Sequence, residues 1–220
     1  YGISLLDNAI VNGRLIFEHG LLYIDDYRLT LGVNATVEGE FDNNRMIMLN
    51  GALSDWGVRK MFPSGASSQF TIPIGVSGKY TPVTYTVTTS TPGAINVRPV
   101  NREHPALSDV TGNELKYYWS VDATGFGADL QMTHKYQYVV EDVTGNIGQY
   151  VVGLYRYNIY TWDNLGNASN PGKVNTVDKT IEVINVNYAT GDYTAGHSDN
   201  FVSLPTYYSR NNRPNDNWTE

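Results

Sequence analysis

Few residues in this chain have the types and spacings that chemistry needs. Of its four histidines, His19 stands beside Gly20 and His104 beside Pro105, with His134 and His197 further on. No two of them fall at His-x-His or His-x-x-x-His spacing, the separations that place paired imidazoles on one metal. Each therefore reads as a polar loop residue. The chain has no cysteine, which removes a thiolate nucleophile, a thiolate metal site and a disulfide framework. It contains neither the Gly-x-Ser-x-Gly elbow of a serine hydrolase nor a phosphate-binding loop. Carboxylates remain. Glycoside cleavage needs two of them across a cleft, and the candidates are Asp25, Asp26, Glu38 and Glu40. Asp25 and Asp26 fall at a turn, where Asp is common because it hydrogen-bonds its own backbone. Glu38 and Glu40 flank Gly39 and read as solvated. The chain is therefore expected not to be an enzyme. A fragment of a β-helix polysaccharide lyase or hydrolase is the catalytic alternative.

Two further constellations concern binding. Asp109-Val-Thr-Gly-Asn113 recurs as Asp142-Val-Thr-Gly-Asn146, and Asp163-Asn-Leu-Gly-Asn167 is similar. Asp accepting from the backbone and Gly supplying positive φ make a tight turn. The same oxygens suit calcium, so Asp109, Asp142 and Asp163 are the candidate ligands. Each copy offers one carboxylate, however, where calcium takes about six to eight oxygens. No other cofactor is expected. The second constellation is aromatic. Tyr117 and Trp119 share a core face, whereas Tyr118 points the other way. Tyr160 falls on the polar side of its strand, and Trp162 follows in the adjoining loop. Tyr118, Tyr160 and Trp162 are thus the candidate ligand-binding residues, a stacking strip for sugars if their strands are neighbours. A carbohydrate-binding module is the alternative function that follows.

The elements that carry these residues are strands. Charged residues make up only 17%, well below the roughly 25% of an ordinary soluble domain. Tyr (17 copies) and Gly (21 copies) are abundant, favouring strands and tight turns. From Asn12-Gly13 to Asn50-Gly51 turn signals alternate with apolar runs of a few residues, such as Leu15–Phe17, Leu21–Ile24, Leu29–Leu31 and Met46–Leu49. Their near-regular spacing fits short β-solenoid coils, with a meander of hairpins as the alternative. From about Gln69 the strands lengthen and alternate, as in Val83, Tyr85, Val87 and Leu115, Tyr117, Trp119, Val121. A period of two with regular turn signals points to an antiparallel β-sandwich. Pro73 and Pro82 should mark breaks or edges. The fold class is all-β, with residues 1–56 the end of a β-solenoid or β-meander, 57–188 a β-sandwich domain, and 189–220 a linker or lead-in to a next module. Tyr1 falls inside a strand-like pattern and the end at Glu220 lacks a capping element. The chain is thus expected to be a piece of a longer protein whose solenoid continues upstream.

Net charge is −7 with no basic stripe, so nucleic acid is not an expected partner. No apolar run reaches the roughly 18 residues of a membrane-spanning helix. Several segments resemble modules of large Bacteroidetes cell-surface proteins exported by the type IX secretion system. These are Phe70-Thr-Ile-Pro-Ile-Gly75 followed by Tyr80-Thr-Pro-Val83, Val97-Arg-Pro-Val100 with His104-Pro105, and Leu115-Lys-Tyr-Tyr-Trp-Ser120. Gly191-Asp-Tyr-Thr-Ala-Gly196 and Thr206-Tyr-Tyr-Ser-Arg210 with Trp218 complete the set. No catalytic residue comes with the resemblance. It implies an extracellular or cell-surface location and a structural or adhesive role. The partners it implies are neighbouring modules of the same polypeptide and surface glycans or other cell-surface proteins.

Overall fold

The computed structural model describes residues 2–108, 112–167 and 171–202. The chain is all-β. Its first strands are β1 (Gly2–Ser4), β2 (Ala9–Val11), β3 (Arg14–Phe17), β4 (Leu21–Tyr23), β5 (Leu29–Leu31), β6 (Thr36–Gly39), β7 (Ile47–Met48) and β8 (Val58–Phe62). They do not form successive hairpins. They pair in parallel at a step of three: β1 with β4 and β4 with β7, β2 with β5 and β5 with β8, β3 with β6. In-register pairing stacks like on like. Ile3, Leu22 and Ile47 form one row, and Ala9, Leu29 and Val58 another. Burial follows position in the row: Ile47 and Val58 are fully enclosed, whereas Ile3 at the open end is 73% exposed.

A third row runs Val11, Leu31, Lys60. Lys60 ends it with an apolar stem and a buried ammonium. That ammonium donates to the carbonyls of Gly32 (2.6 Å) and Val33 (3.0 Å) and lies over the Phe70 ring. Burial pushes its pKa down to about 8.

The chain then alternates between the stack and a second architecture. It forms β9 (Gly65–Ile72), β10 (Ile74–Val76), β11 (Lys79–Tyr80), β12 (Val83–Thr89), β13 (Gly93–Val100), β14 (Tyr118–Thr124), β15 (Gln131–Gln137), β16 (Tyr150–Arg156), β17 (Thr161–Gly166), β18 (Gly172–Asn175), β19 (Thr180–Val186) and β20 (Gly191–His197). Pro73 is the break expected of it. It separates β9, the edge of an antiparallel sheet ordered β18-β19-β15-β12-β9, from β10, which returns to pair in parallel with β7. A second sheet is ordered β17-β16-β20-β14-β13-β8-β5-β2. It is antiparallel from β17 to β8 and parallel from β8 to β2. One sheet therefore spans both halves of the chain.

The inner faces of the two sheets share one core. Tyr136 on β15 stacks on Tyr193 of β20 (centroids 5.1 Å apart) and lies 5.2 Å from Trp119 of β14. Two expectations change here. His134 is no loop residue: it sits on β15, fully buried. Its Nε2–H donates to the Tyr188 carbonyl and its Nδ1 accepts from the Tyr136 hydroxyl, each at 3.0 Å. Nor is 189–202 a linker, because β20 lies in the middle of the long sheet between β16 and β14. Its small and polar residues, Gly-Asp-Tyr-Thr-Ala-Gly-His, hide it from an apolar pattern. A Cβ on Gly191 would lie 2.3 Å from Leu154, so the close packing itself demands glycine. Among the described residues no helix is long and apolar enough to cross a membrane.

This core titrates at both ends of the pH scale. Desolvation pushes Tyr118 and Tyr150 up to about 12 and Tyr85, Tyr117, Tyr136 and Tyr193 up as well. These folded values lie above the unfolded value of about 10. The corresponding stability is present below pH 10 and is lost as pH rises past it. Burial holds His134 down at about 3, so its contribution is present above about pH 6.5 and is lost as pH falls towards 3. In a tyrosinate absorbance titration the core set should therefore ionise only as circular dichroism reports unfolding. Titration of all tyrosines near 10 in a still-folded chain would contradict this packing.

Candidate functional site

The segment after β13, residues 101–108, lies as a strap across the outer face of the long sheet. His104 anchors it, 4% exposed. Its Nδ1 accepts from the Ala106 N–H at 3.1 Å, which fixes the proton on Nε2, and Nε2–H donates to Asp192 Oδ2 at 3.1 Å. Aromatic rings enclose the imidazole: Tyr118, Tyr155 and Trp162 have centroids 4.7, 4.8 and 4.8 Å away. The Trp162 indole donates to the Ala106 carbonyl at 2.8 Å. Ala106, Leu107, Tyr155, Trp162 and Phe201 make a second, smaller core on this outer face. His104 thus lies in a loop as expected, but as a buried anchor and not as a solvated residue. His19 is exposed and His197 half-buried.

Residues 88 apart in sequence thereby bring an imidazole and a carboxylate together, and Ser120 is the cross-strand neighbour of Asp192. Nucleophilic catalysis would need an imidazole nitrogen free to take the serine proton. Here Nε2 is committed to Asp192 and Nδ1 to the strap backbone, and Ser120 is fully buried. The arrangement pins a loop to a sheet.

The sequence-derived candidates fare as follows. Tyr118 and Trp162 are both buried beneath or beside the strap. Tyr160 is half-buried at the β16–β17 turn, with a φ of 53°, and packs against the second core. The expected stacking strip is therefore not presented, because residues 101–108 cover the face on which Tyr118 points outward. For calcium, Asp142 pairs with Lys79 and Asp163 with Arg156; Asp109 lies outside the described residues. Asp142 is buried, which raises its carboxyl, while Lys79 opposes the rise. The last residues of the two pentapeptides meet: the Asn146 N–H donates to Asn113 Oδ1 at 2.7 Å. A Cβ on Gly145, whose φ is 66°, would collide with that same oxygen. Among the described residues no three His, Cys, Asp or Glu group to hold a metal.

The carboxylates of the parallel stack stand at turns or in ion pairs. Asp25 turns the chain between β4 and β5 with a φ of 42°. On β6, Glu38 accepts from Arg14 and from Thr36, and Glu40 lies 3.9 Å from Arg45.

Sequence reasoning missed a concavity of about 440 Å³ where three connections meet, β14–β15, β16–β17 and β19–β20. Phe126, Arg156, Tyr157, Asn158, Asn187 and Tyr188 line it. These residues lie in separate turns and share no spacing, so no motif could have flagged them. Comparison with protein-family profiles, with curated proteins and with solved structures gives no match. Fold and site define the chain as an all-β protein with mixed parallel and antiparallel sheets.

Removing the strap's anchor should cost stability. His104→Ala leaves the Asp192 carboxylate buried without its donor and should lower the unfolding free energy by about 3 kcal/mol. Chemical denaturation measures this, and a loss below about 1 kcal/mol would contradict the anchoring role.

Proposed function

We propose that this chain is a non-catalytic structural and adhesive module of a large secreted cell-surface protein, in which the last coils of a β-solenoid run directly into a β-sandwich. The observation that carries this reading is the eight-stranded sheet common to both halves, in which β8 pairs with β5 on one edge and β13 on the other. Such a joint transmits load through main-chain hydrogen bonds rather than through a flexible linker. The solenoid part draws support from the parallel i-to-i+3 strand pairing and from the aliphatic rows. The open end of those rows exposes Ile3 and Leu6, which further coils would bury. The sandwich part draws support from the core shared by the two sheets. Secretion, surface display and the partners, neighbouring modules and surface glycans, rest on the resemblance of segments such as Phe70–Gly75 and Leu115–Ser120 to type IX-exported surface proteins of Bacteroidetes.

A rigid joint makes the two halves open together. Native-state hydrogen exchange of β5 and β8 amides should give the same opening free energy as β13 and β14, within about 1 kcal/mol. A β5–β8 region that opens several kcal/mol more easily would contradict the joint. Incubation with a panel of plant and microbial polysaccharides should release no new reducing ends; release from any of them would overturn the non-catalytic reading.

A further inference from the structure

The concavity between the three connections has the chemistry of a ligand site, and its construction says which ligand. Its walls are fixed before anything binds. The Tyr157 hydroxyl donates to the Val121 carbonyl at 2.7 Å, which locks its ring. Thr190 Oγ accepts from the Ala123 N–H at 3.0 Å, tying the β19–β20 connection to the end of β14. The Phe126 ring rests on Gly93, where a Cβ would stand 2.4 Å from it, and lies 6.4 Å from Phe62. Arg156 stacks on the Tyr188 ring at 4.8 Å and its Nε donates to Asp163.

Charge selects among ligands. Arg156 is the single charged side chain of the lining, and Asp163 already neutralises it. An anion would find no uncompensated cation, and a cation no carboxylate in the wall. The Thr124 hydroxyl of the lining already accepts from Arg59 at 3.1 Å, and the exposed amides of Asn158 and Asn187 stand beside it. Each amide both donates and accepts, as a polyol requires. The guanidinium of Arg156 keeps donors beyond the one given to Asp163. Half-buried Phe126, Tyr157 and Tyr188 supply ring surface for apolar C–H faces. A volume of about 440 Å³ falls within the few-hundred-Å³ range of small-molecule sites.

We propose that this concavity binds a neutral saccharide, its rings packed on Tyr188 and Phe126 and its hydroxyls held by Asn158, Asn187 and Arg156. The proposal rests on the adhesive reading above and gives it a ligand class and an address.

Isothermal titration of the chain with cellotetraose, xylotetraose, mannotetraose and chitotetraose, with tetragalacturonate as the acidic comparator, tests it. At least one neutral tetramer should bind with a dissociation constant of about 1 mM or tighter. Asn158→Ala, at an exposed turn position, and Tyr188→Ala should each weaken that binding by about fivefold or more. Asn158→Ala should leave the melting temperature unchanged, so its effect reads the site and not the fold. No binding by any neutral tetramer, equal binding by Asn158→Ala and the parent chain, or tighter binding of tetragalacturonate would overturn the proposal. Mass spectrometry of the recovered saccharide separates the two readings. Shortened saccharide defeats the non-catalytic function, whereas intact and unbound saccharide defeats the concavity alone.

Discussion

Everything in this molecule depends on β8 having a partner on each edge. A stack of parallel strands ends in an exposed row of N–H and C=O groups, which invites aggregation unless it is covered. Here β13 closes the β8 edge and β11 closes the β10 edge, both antiparallel. The switch from parallel to antiparallel pairing occurs inside a continuous sheet. Val58, Lys60 and Phe62 alternate inward along β8, so one strand supplies core to both halves. Lys60 marks the junction. Its ammonium takes two carbonyls at the Gly32–Val33 corner while its stem continues an aliphatic row.

The outer face of the same sheet follows a different rule. It would be the wet side of a simple two-sheet protein, and Asn96, Ser120, Asp192 and Thr194 stand on it. All four are buried. The strap makes this tolerable by bringing His104 to Asp192 and by laying Ala106 and Leu107 over Tyr155 and Trp162. Buried charge without such a partner is strongly destabilising. The strap pairs one Asp192 oxygen with His104, while the other Asp192 oxygen, Ser120 Oγ and Asn96 Oδ1 stay buried without a hydrogen-bond partner, a cost that the surrounding packing offsets.

This division explains how much was legible in the sequence. Short apolar runs between Asn and Gly turns declared β3 to β7 as separate strands, and alternation placed Tyr85, Tyr117, Trp119 and Val121 in the core. Parallel partnership was legible only as spacing, because pairing between distant strands leaves no local mark. Alternation also gave Tyr118 its direction, pointing outward, but direction is not exposure, and residues 101–108 cover it. The strand β20 escaped because an interior position crowded by Leu154 and Asn113 selects glycine and alanine, which resemble a linker. His134 escaped for a related reason: an imidazole on an apolar face resembles a polar interruption until its two hydrogen bonds are seen. The concavity at the connections was invisible, since turns far apart in sequence converge only after both sheets have formed.

The central claim is that the parallel stack and the two-sheet half are one mechanical unit joined through β8. Force spectroscopy on single molecules held near residues 2 and 202 tests it most directly. The account predicts one dominant rupture releasing about 70 nm of chain, the contour length of roughly 200 residues at about 3.5 Å each. Two well-separated ruptures, one of about 25 nm from the parallel stack and a later one from the remainder, would contradict it.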